Sequence, residues 1–150
     1  MECEVKVRRL SPAARLPRRA TVGSAGADLC AVCPDGPVRV PAGGSALVGT
    51  GLAIELPGPE WVALVFARSG LSIKRGISLA NAVGVIDADY RGEIKVGLVN
   101  RSDEDYLVED GARVAQLVIM PVAAARFVEA ETLGETLRGA GGFGSTGVKG

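Results

Sequence analysis

The sequence predicts an all-β fold, a barrel or sandwich with at most one short helix. Three observations carry the prediction. Apolar or alternating runs of strand length recur along the chain, they are rich in β-branched residues, and clusters of Gly, Pro, Asn or Asp punctuate them. With 150 residues there is room for one such domain and no second core.

The runs are "EVKV" near the start, "VRV", "ALVGTGLAIEL", "WVALVFA", "GISLANAVGVI", "IKVGLV" and "YLVEDGARVAQLVIMPV". The turn signals between them are "PDGP", "PAGG", "PGPE" and "NRSDED". Two stretches have helical potential. "SGLSIKRG", after Arg68, has space for a turn or two. "VAAARFVEAETLGETLR" has helix-forming composition, but Gly134 interrupts it and its period is poor, so the expectation there is strand followed by irregular chain. From about Gly134 the composition becomes Gly-rich without apolar periodicity, which divides the chain into an all-β body, residues 1–133, barrel or sandwich, and a terminal tail, residues 134–150.

Composition excludes several kinds of chemistry. Seventeen basic and seventeen acidic residues cancel, which argues against a broad electrostatic surface for nucleic acid or lipid. An anion has to be met by a local site. Histidine is absent, so acid and base work falls to carboxylates, and the commonest zinc ligand is missing. Cys30 and Cys33 form a CxxC that only Cys3 is left to help, and "LCAVCPDGP" runs into a turn where a redox motif wants a helix, so free thiols are expected. No apolar run is long enough to span a membrane and the N-terminus has no secretory core; the expected location is cytoplasmic, with the sequon at Asn100 unused.

Five stretches carry candidate chemistry. "GVIDADYRGE" puts Asp87 and Asp89 between two apolar runs; the pattern suits a plain hairpin turn, and it also suits a rigidly held base for water with the Tyr90 ring beside it. In "ARSGLS", Arg68, Ser69 and Gly70 stand at a strand-to-helix junction, where a guanidinium and free N–H groups suit phosphate, although an N-capping serine reads the same. It is no nucleophile elbow, because the glycine two before Ser69 is missing and no histidine is present to activate the serine. Asp28 lies in the small-residue run "SAGADLCA", facing solvent or helping to hold a hydrated cation. Gln116 in "GARVAQLVI" is polar among apolar neighbours, as an outward-facing strand residue would be. The tail "RGAGGFGSTG" is no Walker loop, yet Phe143 gains nothing in a loose tail unless it lands on something, and glycines beside Ser145 and Thr146 allow close approach to an anion. It reads as a lid.

In their order, "SAGADLCA", "ARSGLS", "GVIDADYRG", "RVAQLVI" and "RGAGGFGSTG" resemble the five motifs of the trimeric dUTP diphosphatases, over about Leu16 to Gly147. The resemblance implies a distorted jelly-roll-like β-barrel in a homotrimer, with the C-terminal arm exchanged between subunits and each site built from three of them. It implies hydrolysis of dUTP to dUMP and pyrophosphate with Mg2+, which limits uracil in DNA and supplies dUMP for dTMP synthesis. Asp87 matches the carboxylate that activates water, and Tyr90 the ring that packs on deoxyribose and selects against a 2'-hydroxyl. Asn81 to Ile86, including Gly84 and Val85, match the hairpin whose backbone reads uracil, while Asp28 matches the acid that holds magnesium through water. Arg68, Ser69, Gly70 and Gln116 match phosphate contacts; Arg138, Gly144, Ser145 and Thr146 match the arm's grip on the outer phosphates, with Phe143 stacking on uracil. Ala67 stands where many members have proline.

Two alternatives have different chemistry. A dCTP deaminase shares the barrel and trimer but attacks the base, and the "DYRG" turn and "GGFGSTG" tail favour the diphosphatase. A non-catalytic nucleotide-binding trimer would have no reason to keep Asp87, Arg138 and Phe143 together.

Overall fold

A computed structural model describes residues 2–142. Twelve strands and one helix follow one another as β1 (Lys6–Arg9), β2 (Arg18–Arg19), β3 (Ala27–Cys30), β4 (Val38–Val40), β5 (Ser45–Gly49), β6 (Leu52–Glu55), β7 (Trp61–Phe66), α1 (Ser69–Arg75), β8 (Ile77–Leu79), β9 (Val83–Ile86), β10 (Lys95–Asn100), β11 (Tyr106–Val108) and β12 (Arg113–Pro121). The all-β expectation with one short helix holds. The strands form a five-stranded sheet in the order β2-β3-β12-β7-β9, a three-stranded sheet β5-β10-β8, and two ribbons, β1-β6 and β11-β4, all antiparallel.

Alternation in the sequence explains which faces close. In β10, Val96, Leu98 and Asn100 are buried while Lys95, Gly97 and Val99 stay partly open, as a period of two requires. The core is almost wholly aliphatic, with Leu29, Val40, Val48, Leu52, Ile77 and Leu98 fully buried. Two polar side chains share it, and both are satisfied. Thr50 donates its hydroxyl to Ile94 O at 2.7 Å. Asn100 donates through Nδ2 to Val40 O and Glu104 O at 3.1 and 2.7 Å, and its Oδ1 accepts from the N–H and hydroxyl of Ser102. The sequon asparagine is therefore a core strut that ties β10 to β4, inaccessible to a glycan.

Helix α1 differs from the sequence expectation at its start. Its N-cap is Arg68 in extended conformation with no side-chain bond, so no serine caps it. Its C-cap, Gly76, takes φ 69°, where glycine is favoured, and its N–H closes onto Ser72 O. The stretch after Pro121 also departs from expectation, because no strand or helix forms in residues 122–142. Phe127 is 95% and Leu133 89% exposed, so these side chains find little to pack on among the described residues. None of the helices among the described residues is long and apolar enough to cross a membrane.

Candidate active site

The turn after β9 is held from several sides. The Tyr90 N–H donates to Asp87 O at 3.1 Å, and Arg91 Nη1 donates to Ala88 O at 2.7 Å and Tyr90 O at 3.0 Å. The Tyr90 hydroxyl donates to Glu93 O at 3.0 Å. Glu93 in turn accepts the Gly51 N–H on Oε1 at 2.9 Å, and a Cβ at Gly49 would lie 2.7 Å from that oxygen, so the β5–β6 corner is shaped around this carboxylate. Asp87 is exposed at the start of this braced turn, and its carboxylate has no hydrogen bond or ion pair among the described residues. Both oxygens are open to water.

Beside Asp87 lies a cleft of about 260 Å³, walled by Asn81, Gly84, Val85, Ile86 and Tyr90, with Lys95 to Gly97 of β10 across from them. One wall is strand β9, an edge strand paired only with β7. Among the described residues no second strand pairs with its outer edge, whose backbone N–H and C=O groups can serve as alternating donors and acceptors. The entry to β9 is tight. Val83 N–H bonds to Asn81 O at 2.7 Å across Ala82, which sits at φ 61°, an uncommon place for a residue with a side chain. Gly84 has little space, since a Cβ there would come 3.1 Å from Val65 Cβ.

A second cluster gathers where β3, β7 and β12 meet. Asp28 accepts Arg68 Nε on Oδ1 at 3.0 Å and Arg113 Nη1 on Oδ2 at 3.1 Å. Gln116, opposite Asp28 in register, donates Nε2 to Ala67 O at 2.9 Å and so fixes the backbone just before Arg68. Gly26 makes this possible, because a Cβ there would sit 2.6 Å from Gln116 Oε1. Asp28 is thus neither a free surface charge nor an idle carboxylate; it orients two guanidinium groups. Ser69 and Gly70 follow at the exposed start of α1, where backbone N–H groups have no intrahelical acceptor.

Arg113 opens the motif "RVAQLVI" but received no role there, and a bulge explains how it reaches Asp28. The pairing of β12 with β3 slips between Arg113 and Ala115. In unbroken register Arg113 would face Ala31, which is buried; the extra residue, Val114, shifts Arg113 to pair with Cys30, on the same face as Asp28. Burial pushes the Cys30 thiol above its ordinary value, against a smaller downward pull from Arg15 and with a further upward push from Asp28, so it is not an activated thiolate. All three cysteines are free.

The two clusters sit at opposite ends of the β7–β9 pair. Ile86 pairs with Ala63, whereas Arg68 lies five residues further along the chain, past the pairing of Phe66 with Val83. Asp87, one residue beyond Ile86, falls opposite position 62, so at about 3.3 Å per residue it is separated from Arg68 by roughly 20 Å along the sheet within one chain. Arg138 meets neither cluster; its Nε donates to Gly141 O at 2.7 Å in the exposed terminal segment. Phe143, Gly144, Ser145 and Thr146 lie outside the described residues.

A sequence model of the dUTPase family matches residues 13–147. The chain belongs to the dUTPase family. It is 52% identical over 140 residues to a deoxyuridine 5'-triphosphate nucleotidohydrolase of Desulfitobacterium hafniense, covering 93% of this chain and 92% of that protein. A nucleotidohydrolase of the same description from Burkholderia mallei is 52% identical over 132 residues, 88% of each chain. Among solved structures, the dUTPase of Staphylococcus bacteriophage 80alpha with dUpNHpp superposes with a TM-score of 0.87 at 28% identity, over 97% of this chain and 99% of that one. A mutant dUTPase from phage phi11 of S. aureus, described with a coordinated structural Mg(II) ion, gives a TM-score of 0.78 at 25% identity, over 88% of this chain and 99% of that one. Like these relatives, this dUTPase is a nucleotidohydrolase.

No group of three or more metal-ligating side chains occurs among the described residues, and both oxygens of Asp28 hold arginines. Each Asp28 oxygen accepts one guanidinium N–H and keeps a further lone pair, so the carboxylate can still accept from the water shell of a hard cation.

Proposed function

We propose that this dUTPase hydrolyses dUTP to dUMP and pyrophosphate by attack of water on the α-phosphorus, with Asp87 as the general base. The observation that carries the reading is the braced turn, which presents an open carboxylate and the Tyr90 ring at the mouth of a cleft walled by an edge strand. Uracil enters against β9, where backbone groups from Asn81 to Ile86 form hydrogen bonds with the base edge; cytosine, with its donor and acceptor interchanged, leaves such groups unpaired. Tyr90 packs on the deoxyribose and leaves no space for a 2'-hydroxyl. Asp87 takes the proton of the attacking water, a task for a carboxylate in a chain without histidine.

Arg68, Ser69, Gly70 and Gln116 receive the phosphates, with Arg113 as a further cation beside them. Asp28 would hold magnesium through water, and the ion, when bound, would neutralise charge on the departing pyrophosphate. One nucleotide has to reach both Asp87 and the arginines, and the separation of roughly 20 Å in a single chain supports a site shared between subunits of a homotrimer. The exposed apolar residues of 122–137 support an arm, completed by 134–150, that crosses to a neighbour and brings Arg138, Phe143, Gly144, Ser145 and Thr146 over the bound nucleotide. The product dUMP feeds dTMP synthesis, and the reaction keeps uracil out of DNA, in the cytoplasm.

Pyrophosphate release from a panel of nucleoside triphosphates tests this. With magnesium present, dUTP is expected to react, with UTP and dCTP slower by about a hundredfold or more, no ammonia released from dCTP, and strong loss on chelation. Equal hydrolysis of UTP and dUTP would remove the sugar-selecting role of Tyr90, and ammonia from dCTP would favour the deaminase.

A further inference from the structure

Gly92 has no conformational reason to be glycine. Its φ is not among the positive values of the chain, so an alanine backbone fits there without strain. Its surroundings give the reason instead. A Cβ at this position would lie 2.4 Å from the Tyr90 hydroxyl oxygen, 2.6 Å from Cζ and 3.0 Å from Cε2. The ring folds back over Gly92 so that its hydroxyl reaches Glu93 O. Two devices therefore fix the ring. The Glu93 carbonyl anchors its tip, and the bare Cα of Gly92 leaves the space in which it lies. Arg91 Nη1, by bonding Tyr90 O, holds the backbone from which the ring departs.

We propose that Gly92 is a specificity-determining position, which sets the Tyr90 ring at the depth where it accepts deoxyribose and excludes ribose. The inference rests on the role given above to Tyr90 and deepens it. An added methyl group moves the ring tip by about 1 Å to restore ordinary contact, which breaks the bond to Glu93 O. The ring is the far end of a side chain, so it yields while the fold stays. Misplacement of a positioning group by about 1 Å is enough to cost on the order of a hundredfold in rate.

The test is a double-mutant cycle with kcat/KM for dUTP and UTP measured on four full-length proteins: wild type, Gly92→Ala, Tyr90→Ala and the double variant. Gly92→Ala is expected to lower the dUTP to UTP preference at least tenfold. In the Tyr90→Ala background, where no ring is left to displace, the same change is expected to alter neither substrate more than twofold. Should Gly92→Ala alone fail to fold, a folded double variant would still trace the damage to the ring. Unchanged preference in Gly92→Ala, an equal effect in both backgrounds, or loss of folding in both would overturn the proposal. Unaltered preference in Tyr90→Ala itself would instead overturn the role of Tyr90, so the two failures are separable.

Discussion

Asp87→Asn is expected to bind dUTP at least as tightly as the wild type and to turn it over about 10²- to 10⁴-fold more slowly, the range for loss of a positioned general base. Asparagine keeps the shape of the side chain and removes only its charge and basicity. The turn does not depend on the carboxylate, because its bonds run from the Tyr90 N–H, the Arg91 guanidinium and the Tyr90 hydroxyl to backbone carbonyls. Binding measured by calorimetry and turnover by pyrophosphate release separate the two effects. A variant that binds normally and retains near-normal turnover would remove Asp87 from the chemistry.

Truncation before Arg138 has the second large effect. The described part of the removed segment makes only local bonds, Arg138 to Gly141 O and Gly139 N–H to Thr136, and no strand of the body pairs with it. Folding and assembly should survive. On the role proposed for the arm, which is to bring a cation and hydroxyl donors to charge that develops in the transition state, activity should fall by at least about a hundredfold. Thermal unfolding and light scattering check the first expectation and steady-state kinetics the second. An undiminished rate would make the arm a bystander.

Most of the strands and the short helix were legible in the sequence because turn chemistry and alternation are local properties; the two-residue β2 lies in none of the apolar runs, and three runs each fold as two strands. So was the acidic turn of Asp87, with Tyr90 and the cleft-forming hairpin close to it along the chain. What was not legible depends on pairing between distant segments. The role of Arg113 is created by one unpaired residue, Val114, which no pattern within β12 announces. Asp28 looked like a lone charge because its partners, Arg68 and Arg113, lie 40 and 85 residues away. The apolar residues around Phe127 suited a strand, yet a strand needs a partner, and none of the described strands pairs with them. The N-capping serine, one of two readings of "ARSGLS", fails for a smaller reason. Serine favours the N-cap, but Arg68 takes the extended cap conformation and Ser69 is already helical, so the helix starts one residue earlier than a cap at Ser69 would place it.

A structure of the full-length protein with magnesium and a non-hydrolysable imido analogue of dUTP tests the central claim most directly. The account predicts one water within about 2.6–3.2 Å of an Asp87 oxygen, in line with the bond from the α-phosphorus to its leaving oxygen, with Arg68 of another subunit on the same triphosphate. An Asp87 turned away from the α-phosphorus, with no water between them, would contradict it.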